Sequence, residues 1–382
     1  MDRFKFLLSI YWPTFVLIMF FFTEAFYKLF FEVFDTKILL TQITKLFFVI
    51  VAFYFIYLKS KKNTFWLIVL FLVFLVGHFS VSKGIEINSL KSFGRFFVTL
   101  VFLVLVYLYP LSHNSRRIFL QTFALIMLFN AVLIFVGFAF DINFLSTYIY
   151  RFGYNGLFVT SAASSYAYII FFIYAYYKHK NISSWTEIII TIVILCSSLL
   201  VGTKAIYLSL FLIFTLAFAI SNKLSIQVKS IFISLLLVTA TSLFYYYFYL
   251  TGDFNLIREE KGLLSSILSF RNDLLIEVTL PYIKENWSIL NYLFGGVSDF
   301  NTRSQLGFID VFYFWGIIGG IFYFYVFTKF FFSFQIKLEN ALFVGILSLI
   351  VLLAGNFFES ASIAIFILIL QQIFLKGNLK QK

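Results

Sequence analysis

An all-α, polytopic membrane protein is the fold class this sequence predicts, and three observations predict it. The 382-residue chain is 62% hydrophobic and only 12% charged, with a mean hydropathy of +0.97. A soluble chain of this length has no interior large enough for that much apolar side chain, so part of its solvent must be lipid. The apolar residues fall into runs of membrane-spanning length. The Lys and Arg residues form short clusters between those runs.

A hydrocarbon core about 30 Å thick needs roughly 20 apolar residues per helix. About twelve runs qualify: 6–22, 38–58, 65–79, 93–111, 118–140, 156–177, 186–202, 204–220, 230–250, 307–327, 341–355 and 360–375. The third and eleventh are short, and the seventh and eighth form a tight pair around "VGTKAI" (201–206). The first run follows Arg3 and Lys5, as a signal peptide would. It continues into "FFTEAFYKLFF" (21–31) rather than an A-x-A cleavage site, so it reads as an uncleaved first transmembrane helix.

Orientation follows from where the basic residues lie. With the N-terminus inside, the inside segments hold Arg3, Lys5, Lys59, Lys61, Lys62, Arg116, Arg117, Lys178, Lys180, Lys223, Lys229, Lys329, Lys337, Lys376, Lys380 and Lys382. Only Asp2, Glu187 and Glu339 of the acids fall there. Every inside segment carries at least two basic residues, which predicts an even number of spans and both termini inside. Residues 1–382 then form a single multi-pass domain. Its one long outside segment is 251–306, which carries 12 of the 46 charged residues and Pro281. A loop of that length with helical patterning is the first place to look for chemistry.

Several function classes drop out. The net charge of +12 would suit nucleic acid, but there is no basic face and no nucleic-acid motif, so no such partner is expected. Cys196 is the only cysteine, which excludes an internal disulfide and a CxxC zinc site. His78, His113 and His179 are spread along the chain, so neither a metal cluster nor a cofactor is expected.

Charges near apolar segments are the functional candidates. Wound as a helix at about 100° per residue, 264–278 places Leu264, Ile267, Leu268, Leu274, Leu275 and Val278 within about 60° of Arg271. Ser266, Ser269, Asp273 and Glu277 take the opposite side. Arg271 is therefore central on the apolar face of an amphipathic cap. It either snorkels to a lipid phosphate or points down into the bundle, where its planar fork suits phosphate oxygens. Lys204 follows Gly202 and Thr203 at a turn that opens a helix, a good place for an anion. Arg95, Arg151, Arg258 and Arg303 also lie outside, each open to a structural ion pair instead. Together they point to an anionic substrate charged near the membrane surface. Among acids, Asp310 lies about one turn into an apolar helix, and Glu359 lies in the outside turn "GNFFES" (355–360). Gly316 and Gly320 of the helix carrying Asp310 are spaced for close packing. Tyr245, Tyr247 and Tyr249 in "FYYYFYL" (244–250) fit either an interfacial aromatic belt or stacking on sugars, and "STYIYRFGYNG" (146–156) offers the same choice.

These features in this order resemble the bacterial O-antigen polymerase and O-antigen ligase superfamily. The resemblance rests on "RFGYNGLFVTSAASSYAYIIF" (151–171), "VGTKAIYLSLFL" (201–212), "SFRNDLLIEV" (269–278), "LFGGV" (293–297) and "DVFYFWGIIGG" (310–320). Ligases of that superfamily carry a histidine shortly before the Gly-x-x-Gly helix. The corresponding position here is Gln305 and the loop has no histidine, which favours the polymerase branch. The resemblance implies a glycosyltransferase of the GT-C type in the bacterial inner membrane, working on the periplasmic side. It would move a growing glycan from undecaprenyl pyrophosphate onto another lipid-linked repeat unit, as in O-antigen or capsule synthesis. It also implies a chain-length regulator as a protein partner. In that reading Arg271, Lys204, Arg95, Arg151, Arg258 and Arg303 are the pyrophosphate candidates, and Asp310 or Glu359 is the base. Charge stabilisation by these cations needs no metal. A lipid-linked oligosaccharide flippase is the alternative from another class, although no half-to-half symmetry is visible in the sequence.

Overall fold

The computed structural model describes residues 2–379 except 83, 85, 149–150, 181–183, 222–223, 251 and 298, and the side chains of 11–375 among these. Of the basic residues that set the expected orientation, Lys223, Lys380 and Lys382, and the side chains of Arg3, Lys5 and Lys376, lie outside that range. Among the described residues no strand forms, and one isolated bridge joins Ser146 to Tyr154.

Long helices dominate. They are α1 (Asp2–Phe34), α2 (Leu40–Lys59), α3 (Lys61–Phe79), α4 (Ile87–Leu108), α5 (His113–Phe140), α6 (Ser161–His179), α7 (Trp185–Leu199), α8 (Lys204–Ile220) and α9 (Ile226–Tyr245). Five short helices follow, α10 (Asp253–Lys261), α11 (Leu263–Leu268), α12 (Arg271–Asp273), α13 (Leu280–Asn286) and α14 (Ile289–Phe294). The chain ends in α15 (Gly307–Phe331), α16 (Leu338–Ala354) and α17 (Ala361–Leu379). Hydroxyl caps start many of the long ones. Ser60, Ser112, Thr160, Ser184 and Ser225 each accept a backbone N–H from the first turn that follows, which satisfies an otherwise orphaned donor.

Each predicted apolar run holds a helix, and among the described residues 7 are long and apolar enough to cross a membrane. These are α1 to α5, α9 with its extension to Leu250, and α15. Helices α7, α8, α16 and α17 are apolar but shorter over their described parts. Helix α6 is rich in Ser and Tyr and lies inside the bundle, with every residue from Ala163 to Ala175 buried. It packs against α17, which in turn packs against α4, and these three helices form the centre of the apolar core. Helix α9 is the opposite case: none of its residues is buried.

The contacts sort the helix ends into two sets. At one end Arg116 of α5 meets Gln372 of α17, Gln371 meets the Phe330 carbonyl of α15, Lys178 pairs with Glu187, and Lys180 pairs with Glu339. At the other end the 251–306 segment covers the bundle. There Asn291 meets Gly77 of α3, Val297 meets Ser89 of α4, Ser266 meets Lys204 of α8, and Arg271 meets Leu353 of α16. Successive long helices therefore run up and down, and the basic loops and the long capping segment occupy opposite ends.

Three local expectations need correction. The first helix runs to Phe34 rather than ending near 22, because its charges find partners. Glu24 pairs with Lys45 of α2 at 2.5 Å and accepts from Ser362 of α17. Lys28, 4% exposed, donates to Asn155 Oδ1 and to the Gly156 carbonyl, both at 2.7 Å. Lys28→Met should leave both acceptors unsatisfied and destabilise the protein by about 1–3 kcal/mol, read as a lower melting temperature in detergent.

Second, no continuous helix spans 264–278. Ser269 and Phe270 take left-handed conformations, with φ of 52° and 64°, and split α11 from α12. Ser265, which accepts from Asn272 and donates to Asp273, ties the two sides of the bend together. Third, Gly316 does allow close packing with a neighbour, but not on a regular helix. Its φ of 69° and ψ of −172° interrupt α15, and the 293–295 backbone sits against it. Gly320 meets the ring of Phe312 from its own helix.

Candidate functional site

The bend at Ser269–Phe270 decides where Arg271 goes. Its Nη1 donates to the Leu268 carbonyl at 3.1 Å and to the Leu353 carbonyl, at the end of α16, at 3.4 Å. The guanidinium therefore points into the protein rather than out to a lipid headgroup. Its Nε is buried without a hydrogen-bond partner. Burial pulls the Arg271 pKa below its usual value, while Tyr166, Tyr148, Asp310 and Glu359 pull it upward. Those groups are its electrostatic surroundings.

On one side of Arg271 lies a purely cationic group. Lys204 opens α8 directly after Gly202, whose φ is 73°, and Thr203, whose hydroxyl meets Ser165 at 2.9 Å. Its ammonium donates to the Ser266 carbonyl at 2.6 Å and lies 4.1 Å from the Phe254 ring centre. The Arg151 guanidinium lies 3.7 Å from the Tyr148 ring centre and 5.2 Å from that of Phe254. Phe254 is thus shared by both cations. Arg151 and Arg271 are near enough to Lys204 to repel it. The rings lend each cation a negative face, but no acid is paired with any of the three among the described residues. Three cations held together in this way favour an anion.

On the other side lie the two acids. Asp310, wholly buried, accepts on Oδ1 from the Ser304 hydroxyl at 2.9 Å, and Ser304 in turn accepts from the Leu306 N–H. Glu359, 3% exposed, accepts on Oε1 from the Asn356 N–H at 2.9 Å and pairs with Arg303 at 3.8 Å. Arg303 also donates to Asn356 Oδ1 and to the Phe300 carbonyl. Burial pushes the Glu359 carboxyl above the usual range, and Arg303 pulls it back. Arg95, on the exposed face of α4, is attracted by Glu359 and repelled by Arg303.

The structure therefore sets Lys204 and Arg151 on the shared Phe254 ring, turns Arg271 inward to Leu353, and holds Arg303 against Glu359 and Asp310 against Ser304, while Arg95 is exposed on α4 and acts on Arg303 and Glu359 only at a distance. Arg258 stands apart, bonded to Asn255 and Glu259 and stacked 4.6 Å from the Tyr249 ring. Tyr245, Tyr247 and Tyr249 are exposed on the wide turn that ends α9. The ring of that turn facing Lys204 is Phe248, at 5.6 Å.

Sequence reasoning missed Ser304, Asn356 and Tyr166, and read the stretch that holds Tyr148 only as an aromatic belt or a surface for sugars. Asn356 was visible in principle, because an Asn after a Gly in a short turn tolerates the left-handed conformation it takes here, with φ of 56°. Tyr166 gave no signal. It lies inside an apolar run, yet its hydroxyl donates to the Gly355 carbonyl at 2.7 Å and so orients the turn that carries Glu359. Among the described residues, no three His, Cys, Asp or Glu side chains gather as a metal ion would require. A scan of protein-family models finds no match, and searches of curated proteins and of solved structures find none either.

Proposed function

We propose that this chain is a polysaccharide repeat-unit polymerase, a GT-C-type glycosyltransferase with twelve spans in the bacterial cytoplasmic membrane. Both termini are cytoplasmic and the site opens on the extracytoplasmic side. The observation that carries this reading is the cluster under the 251–306 cap, where cations with no acid of their own adjoin a buried pair of carboxylates. An enzyme that expels a diphosphate needs that combination. In the reaction, a hydroxyl of the acceptor glycan attacks the anomeric carbon of the donor. The new C–O bond forms as the C–O bond to undecaprenyl pyrophosphate breaks. Arg271, Lys204 and Arg151 take up the charge on the leaving diphosphate. The hydroxyl proton passes to the Asp310–Glu359 pair. The polyprenyl tail lies in lipid or between helices, and a chain-length regulator is the natural protein partner.

A flippase is the second reading, and the interruption of α15 at Gly316 is what favours it, since broken helices often mark transport sites. One experiment separates the two. In cells that lack the native protein, Arg271→Ala should still insert but leave single repeats on the lipid carrier facing outward. The loss in polymerising rate should be about 100-fold or more. Arg271→Lys should retain part of the activity, because a point charge replaces a fork. Normal polymer ladders from the alanine variant would remove Arg271 from the site. Repeats trapped on the inner face would favour the flippase.

A further inference from the structure

Two like charges that share one ring need something to hold them there. Arg151 and Lys204 lie 5.2 and 4.1 Å from the Phe254 ring centre. Neither is in ion-pair contact with an acid among the described residues, so their mutual repulsion favours separation. They also come from different stretches of chain. Arg151 lies between α5 and α6, and Lys204 follows the turn between α7 and α8. Their spacing therefore depends on whatever joins those two stretches.

Three contacts join them. The Thr147 hydroxyl donates to the Val201 carbonyl at 3.0 Å. The Tyr154 N–H donates to the Leu200 carbonyl at 2.7 Å. Gly202 packs on Phe152 so closely that a Cβ on it would lie 2.4 Å from the Phe152 carbonyl oxygen. Thr147 serves both sides of the junction. Its N–H donates to the Gly153 carbonyl at 2.7 Å, which closes the loop that carries Arg151, and its hydroxyl ties that loop to the turn before Lys204. Among the described residues, no other side chain of 143–157 bonds to that turn. The base of the loop is anchored separately. Lys28 of α1 holds Asn155 Oδ1, and Asn130 of α5 donates to the Asn155 carbonyl at 3.1 Å and accepts from the Leu157 N–H at 2.8 Å.

We infer that Thr147 is a positioning residue. Through the Val201 carbonyl its hydroxyl sets the spacing of Arg151 and Lys204, so that one ligand with two linked phosphates reaches both cations at once. The inference rests on the cationic site of the proposed function, and not on the transfer reaction.

Heat unfolding of the purified protein in detergent tests it, with inorganic pyrophosphate and inorganic phosphate as probes. Pyrophosphate can touch both cations together, and phosphate only one. The wild type should melt later as either probe is added, and at a lower concentration of pyrophosphate than of phosphate. Thr147→Val keeps the shape of the side chain without its hydroxyl. It should need at least about 10-fold more pyrophosphate for the same rise, the worth of one charge-assisted hydrogen bond, while its response to phosphate stays that of the wild type. Thr147→Ser restores the hydroxyl and should respond to pyrophosphate as the wild type does. If Thr147→Val does not fold, Thr147→Ala removes the same hydroxyl with less bulk and should give the same result. A purely structural role would lower the melting temperature of Thr147→Val equally with and without pyrophosphate. That result, in a wild type that pyrophosphate stabilises, would overturn the inference alone. A wild type that pyrophosphate does not stabilise would overturn the cationic site and the inference with it.

Discussion

Replacing Arg303 with alanine is expected to destabilise the protein by about 3–5 kcal/mol at neutral pH, because it strands a buried charge. The Glu359 side chain is 2% exposed. Its remaining partners are the Asn356 N–H and the more distant Arg95, neither of which is an ion-pair contact. The loss should be smaller in the double variant Arg303→Ala/Glu359→Gln, which leaves no charge behind. A cycle built from the two single variants and the double measures that coupling. The pH dependence has a definite sign. Without Arg303 the folded-state pKa of Glu359 rises further above its unfolded value. The stability of the variant is then fully present below the unfolded value and is lost as pH rises through the folded one. The deficit relative to the wild type should therefore shrink as the pH falls. Unfolding curves in detergent at several pH values give both results. A variant that melts with the wild type at neutral pH would show that the pair holds nothing together.

How much of this was legible in advance differs from element to element. The long helices and the limits of the 251–306 segment follow from runs of apolar residues, which only helices can satisfy in lipid. The turn before Lys204 was readable because Gly202 accepts a positive φ without strain. The extension of α1 to Phe34 was not. Glu24 and Lys28 read as an end to the apolar run, and their partners Lys45, Ser362 and Asn155 lie on distant parts of the chain. The bend at Ser269–Phe270 was illegible for a different reason. Neither residue favours a left-handed conformation, and side-chain bonds from Ser265, Asn272 and Asp273 hold it. Arg271 was singled out from a helix that is not continuous. Its inward course depends on that bend. The placing of Arg151 and Lys204 on the shared Phe254 ring, and of Arg303 against Glu359, depends on which helix ends meet, and sequence order alone does not contain that.

Gly316→Ala should have the other large effect. The conformation at Gly316 is one that residues with a side chain reach only at a cost of about 1–3 kcal/mol. A Cβ there would also lie 2.3 Å from Gly295 N and 2.5 Å from Phe294 N. These are backbone atoms, which cannot swing aside as a flexible side chain can, and overpacking of this kind adds about 1–3 kcal/mol. The opposing strand of the contact is equally tight. A Cβ on Gly295 would lie 2.2 Å from the Phe314 carbonyl oxygen, and one on Gly296 would lie 2.0 Å from that of Gly77. An interrupted helix at membrane depth is tolerable only where something else satisfies its freed backbone groups. Here the Gly296 N–H donates to the Phe314 carbonyl at 3.2 Å, so the loop completes the break. Gly316→Ala should push that loop out and lower stability by about 2–6 kcal/mol. Trp287 reports the event, because its Nε1 donates to the Gly296 carbonyl at 3.2 Å and its fluorescence should shift as the loop leaves. Gly345→Ala is the control. It lies inside α16 with nothing within 4 Å of a new Cβ, so it should be neutral or stabilising by up to about 1 kcal/mol. Equal behaviour of the two variants would mean that the loop and α15 are not joined at Gly316. A loss confined to Gly316 would place the half of α15 that carries Asp310 under the control of the 293–296 loop, and with it the geometry of the acid pair.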